Sequence, residues 1–99
     1  MRQMDPLESD EVQEKVAFLR GWRVEEGGLA IAKAFDFPDF VRAFAFMTAV
    51  ALRAEKMNHH PEWSNVYSHV DVRLTSHDAG GVTDRDLELA EFMDDVAGG

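Results

Sequence analysis

The chain has 99 residues, with 10 Lys plus Arg against 19 Asp plus Glu, a formal net charge of -9 and no cysteine. Such a length supports one domain over residues 1–99 and leaves self-association attractive as extra burial. The negative charge repels phosphate backbones and anionic lipid, which argues against direct nucleic-acid or membrane binding, and the missing cysteine excludes disulfides, thiolate metal sites and cysteine nucleophiles.

The opening MRQMDPLESDE lacks the apolar core of a secretion signal, and no window approaches a membrane-spanning length, so a cytoplasmic protein is expected. Residues 1–6 carry no pattern and are expected to be flexible. From Ser9, read as a cap and followed by Asp10 and Glu11, the residues Val12, Val16 and Leu19 recur at helical spacing until Gly21 permits a stop. Residues 22–25 then read as a short strand, Glu26, Gly27 and Gly28 as a turn, and residues 29–37 as the second strand of an antiparallel hairpin. Alternation puts Leu29, Ile31, Phe35 and Phe37 on one face, with Ala30, Ala32 and Ala34 on the other.

Pro38 and Asp39 open a long helix over residues 38–58. Phe40, Phe44, Met47, Val50, Ala51 and Ala54 form an apolar stripe facing a sheet, while Val41, Phe46 and Leu52 project away beside Arg42 and Arg53 and imply a self-association surface. Pro61 biases His60 toward an extended conformation, so the helix ends near Met57 or Asn58 and leaves His59 and His60 on its exit. Residues 63–76 are extended, with Val70, Val72 and Leu74 alternating against Asp71, Arg73 and Thr75 and with His77 continuing the polar face. The step from Val66 to His69 fits either a turn between two strands or a bulge in one. After Ala79, Gly80 and Gly81, Thr83 caps a last helix with Asp86 in a variant capping box and Leu87, Ala90, Met93 and Val96 inward. The order α-β-β-α-β-β-α predicts an α+β two-layer sandwich, a four-stranded antiparallel sheet with the helices on one face.

His59, His60 and His77 stand in polar contexts beside backbone breaks, and imidazoles titrate near neutrality, which suits proton transfer in both directions. Three imidazoles also fit a zinc hydrolase with an open fourth position. Adjacent histidines rarely share one ion, however, and no helical HxxxH pair is present, so no metal is expected. Glu55 and Glu62 flank the pair and could orient an imidazole, Trp63 could wall a flat ligand, and Asp86 suits a helix cap. His69 and Glu62 also read as ordinary surface residues.

EKMNHHPEWSNVY followed by VRLTSHDAGGVTDRDLELA resembles the pterin-4a-carbinolamine dehydratase family. The matching pattern is Glu55 and Lys56, then His59, His60 and Pro61, Tyr67 six residues after the proline, His77 ten beyond that, and Asp86 nine further. The likeness runs upstream through FPDFVRAFAFMTAVALRAEK to Gly21 and Trp22; Ser64 and Val82 depart from the residues usual there. What the resemblance implies is a lyase without a cofactor, which dehydrates 4a-hydroxytetrahydropterin to quinonoid dihydropterin and so recycles the tetrahydrobiopterin of aromatic amino acid hydroxylases. It further implies catalysis by His59, His60 and His77, pterin contacts from Asn58, Trp63, Thr75, Ser76 and Asp78, support from Glu55 and Asp86, and a homodimer or homotetramer functionally linked to a hydroxylase. The alternative, also suggested by the resemblance, is a protein-interaction module on the same fold, such as a dimerisation coactivator.

Overall fold

The computed structural model describes residues 5–98. Its elements are α1 (Ser9–Val16), β1 (Arg23–Val24), a 3₁₀ turn (Glu26–Gly28), β2 (Ile31–Asp36), α2 (Phe40–Met57), β3 (Glu62–Val66), β4 (His69–Leu74) and α3 (Asp84–Gly98). All sheet neighbours are antiparallel and the strand order is β1-β2-β4-β3. Two hairpins are therefore joined through their inner strands, β2 and β4, in an α+β fold of three helices and one open sheet.

The register sets which side chains face the helices. Ile31 opposes Leu74, Phe35 opposes Val70, and Trp63 opposes Val72. These residues join one core with Val12 and Val16 of α1, Ala43, Phe46, Val50 and Ala54 of α2, and Leu89, Ala90 and Met93 of α3. Full burial of side chains such as Ile31, Leu74, Leu89 and Met93 contributes about 1.5–3 kcal/mol each. The opposite sheet face carries Arg23, Asp36, Glu62, His69, Asp71 and Arg73.

Several elements differ in detail from the sequence expectation. Of the segment 1–6, residues 1–4 lie outside the described residues, while Leu7 donates its N–H to Val82 O at 2.8 Å. Helix α1 is capped at Glu8, not Ser9, with Glu8 N donating to Glu11 Oε1 at 3.4 Å, and it stops at Val16 in a tight turn through Leu19. Pro38 precedes the α2 cap, Asp39, whose carboxylate accepts Arg42 N–H at 2.8 Å. The buried stripe of α2 is rotated from the expected one: Phe46 is 3% exposed, whereas Phe44 is 54% exposed and Phe40 also faces outward. Phe46 is drawn in because two rings wait for it, Phe35 of β2 and Phe37 just after that strand, at centroid distances of 4.8 and 5.0 Å. Leu29 is exposed, and the core-facing position between Ile31 and Phe35 is Lys33, which reaches Asp94 of α3 at 2.7 Å. Residues 62–74 resolve into two strands with a turn at Tyr67 and Ser68, Tyr67 taking φ 51°.

Candidate active site

Three chain breaks meet at one end of the sandwich: the exit of α2, the loop after β4, and the start of α3. Asn58 ends α2 in the left-handed conformation, φ 55°, where an amide side chain is better tolerated than most. Its N–H bonds Glu55 O at 3.1 Å and the next N–H, of His59, bonds Ala54 O at 3.0 Å. This closure satisfies the last carbonyls of the helix and sends His59 and His60 in different directions. His59 turns inward, 7% exposed, and its Nε2 lies 2.5 Å from Asp86 Oδ1. His60 turns outward, its side chain 57% exposed, with Nε2 2.9 Å from Glu55 Oε1.

Beyond β4 the loop is pinned by Ser76 N to Gly81 O at 2.9 Å and turned at Gly80, φ 80°. It presents His77, with a side chain 79% exposed and Nε2 2.7 Å from Glu62 Oε2 on β3. At the start of α3, the fully buried Asp86 accepts from Thr83 N at 2.9 Å and from Ser76 Oγ at 2.8 Å through Oδ2. One carboxylate thus closes the helix N-terminus, holds the loop that carries His77, and grips His59. Its capping bond alone is worth about 0.5–2 kcal/mol.

The resulting cleft of about 330 Å³ is lined by Asn58, His59, His60, Thr75, His77, Asp78 and Arg85. A volume near 300 Å³ is at the lower end of sites for small organic ligands. Arg85 Nη2 donates to both Asp78 oxygens at 2.8 and 3.1 Å, and this bond holds the Asp78 carboxyl below its ordinary value. Thr75 Oγ1 donates to Leu29 O at 2.7 Å, anchoring the cleft floor to the β1–β2 hairpin. Each of the three imidazoles therefore has its own carboxylate, and all three are engaged through Nε2.

Two residues expected to touch a ligand are placed elsewhere. Trp63 packs against the core from β3 and does not line this cleft, because its register opposite Val72 turns it to the helix side. Ser76 is fully buried beneath the cleft, its hydroxyl taken by Thr83 and Asp86. Arg85 lines the cleft, a role not read from the sequence, and Glu62, expected either to orient an imidazole of the adjacent pair or to be ordinary surface, holds His77 instead. Asp78 and Arg85, seven positions apart across a helix start, offered a weak charge signal for the first; the cross-strand partnership of Glu62 with Arg73 needed the register. Among the described residues no group of three or more histidines, aspartates and glutamates is arranged to hold a metal ion.

The fold and the cleft together define a small α+β protein with an imidazole-lined site at the meeting of two helix ends and a strand exit. The chain belongs to the pterin-4a-carbinolamine dehydratase family, whose model, described as Pterin 4 alpha carbinolamine dehydratase, matches residues 5–96. A Rhodopseudomonas palustris protein, provisionally named a pterin-4-alpha-carbinolamine dehydratase, is 55% identical over 95 residues, which is 96% of this chain and 94% of its own length. A Rhizobium leguminosarum protein with the same provisional name is 51% identical over 94 residues, covering 95% and 93%. The crystal structure of a Brucella melitensis protein described as a transcriptional coactivator/pterin dehydratase superposes with TM-score 0.91 at 44% identity, covering 94% of this chain and 99% of that one. A pterin dehydratase-like protein identified as a RuBisCO assembly factor in the alpha-carboxysome shares the fold at TM-score 0.69 and 22% identity, covering 80% of this chain and 92% of that one.

Proposed function

We propose that the protein is a 4a-hydroxytetrahydropterin dehydratase acting through histidine acid/base chemistry. The observation that carries this reading is the convergence of three carboxylate-paired imidazoles on one cleft in a chain of this family. Dehydration breaks the C4a–O bond as the hydroxyl is protonated and leaves as water, while N5 gives up its proton and the C4a=N5 double bond forms. An acid and a base are needed on one flat ligand, and groups titrating near neutrality serve both roles. His59, His60 and His77 supply them. Asn58, Thr75 and Asp78 contact the pterin, with Arg85 a further contact, and Glu55 and Asp86 hold the histidines. The whole chain acts as one domain, without metal or cofactor, as a cytoplasmic homodimer or homotetramer functionally linked to an aromatic amino acid hydroxylase. No described helix is long and apolar enough to cross a membrane.

The test is the decay of 4a-hydroxytetrahydropterin generated in place, with and without the protein. Acceleration by the wild type, falling about 10²-fold or more in folded His59→Ala, His60→Ala and His77→Ala variants, is the expected outcome. A folded wild type that leaves the decay unchanged removes the dehydratase reading. A second reading, a protein-interaction module on this fold, is favoured by the exposed Val41, Phe44 and Leu52 of α2 and by the coactivator description of the Brucella melitensis relative. That function would survive loss of all three histidines.

A further inference from the structure

His59 is held by burial as well as by its carboxylate, but His77, the most exposed of the three, depends on its partner for a fixed ring. That partner, Glu62, is itself immobilised on both oxygens. Oε2 faces His77 Nε2 at 2.7 Å and Oε1 accepts from Arg73 Nη1 at 2.9 Å. Arg73 in turn donates Nε to Glu25 Oε1 at 2.8 Å. The sheet register fixes this chain of groups, since Glu62 opposes Arg73 across β3–β4 and Arg73 opposes Ala32, which pairs with Arg23 near Glu25. A carboxylate already ordered by an arginine loses little further freedom on bonding an imidazole.

The bond from His77, and after it the bond from Arg73, keep the Glu62 carboxyl below its ordinary value of 4.5, so it is ionised wherever an imidazole can be neutral. An ionised carboxylate only accepts, hence the proton on a neutral His77 ring sits on Nε2 and Nδ1 is bare. We infer that Glu62, braced by Arg73 and Glu25, is a positioning residue that fixes His77 as the Nε2–H tautomer and makes Nδ1 its proton-exchanging atom. This rests on the acid/base reading of the cleft.

Glu62→Gln tests it with almost no change of shape. Arg73 only donates, so it claims the amide oxygen, and the amide NH₂ is left facing His77. The ring must then accept on Nε2 and carry its proton on Nδ1. In ¹⁵N-labelled full-length protein, the ring nitrogen shifts of neutral His77 are expected to report Nε2–H in the wild type and Nδ1–H in Glu62→Gln. In the same variant kcat falls about 10-fold or more with KM within about twofold, as for other residues that orient a catalytic imidazole. Adding Glu62→Gln to His77→Ala costs nothing further. An unchanged tautomer in Glu62→Gln, or a kcat loss that persists at full size in the His77→Ala background, overturns the inference. A wild type without dehydration activity defeats the reading of the cleft, and there the ring shifts alone decide the assignment of Glu62.

Discussion

Asp86 and Asp94 are both buried on α3, and each avoids the cost of an isolated buried charge by collecting donors. Asp86 takes Thr83 N, Ser76 Oγ and His59; Asp94 takes Trp22 Nε1 at 3.0 Å and Lys33 Nζ at 2.7 Å, and Lys33 also donates to Arg20 O. One aspartate organises the cleft and the other fastens α3 to β2 and the β1 approach. His69 shows the exposed counterpart, with Nδ1 2.8 Å from Asp36 Oδ1 and Nε2 3.1 Å from Asp71 Oδ2. The Asp36 bond, with the Asp71 charge behind it, raises His69 above its ordinary value of 6.5. The stability it contributes is fully present below pH 6.5 and is lost as pH rises through the higher folded value. An NMR titration of His69 is expected to show that elevation in the wild type and a fall toward the ordinary value in Asp36→Asn; equal titration in both proteins would sink the pairing.

Glycines separate local from tertiary constraint among the elements. Gly28 and Gly80 both have positive φ, 69° and 80°, but a Cβ at Gly28 would lie 2.9 Å from Ser9 Cα at the start of α1, whereas at Gly80 it meets open space. Gly80→Ala is expected to cost about 1 kcal/mol for the backbone conformation alone, and Gly28→Ala about 2–3 kcal/mol because α1 must also shift. Denaturant unfolding of the two variants checks the order, and equal losses would contradict it. The same division explains what was legible in the sequence. The element order, the end of α2 near Met57 or Asn58 and the HHP corner follow from local signals, above all the proline after His60. The buried face of α2 did not, because apolar residues surround that helix and only the rings of Phe35 and Phe37 choose Phe46 over Phe44. Asp86 could be read as a cap, yet its burial and its grip on His59 depend on elements far apart in the chain. Lys33 and Asp94 carried no local signal, and Glu62 was legible only as a possible partner of the adjacent histidines or as surface; the strand register brings Arg73 to Glu62, and the packing of α3 on β2 brings Asp94 to Lys33.

The whole molecule combines a net charge of -9 with an apolar outer stripe on α2, where Phe40 and Phe44 rings lie 5.7 Å apart and Val41 and Leu52 are exposed. If copies associate through that stripe, like charge opposes the approach and salt relieves it. Sedimentation is expected to show a dimer or tetramer that tightens with ionic strength, and Leu52→Glu should shift it to the monomer with the fold intact. A variant of unchanged mass would place the interface elsewhere. The strand order has its own bearing on how the chain reaches this state. The β3–β4 hairpin closes over a two-residue turn, but β2 must find β4 across all of α2 and β3. From loop closure that central pairing is expected to be the slow event of folding, with the outer hairpins free to form early. If the cleft that joins His59, His77 and Asp86 takes its final shape only with that pairing, and if the cleft binds a pterin as proposed, binding by the refolding chain is expected in the last kinetic phase, and binding by a collapsed precursor would contradict this order.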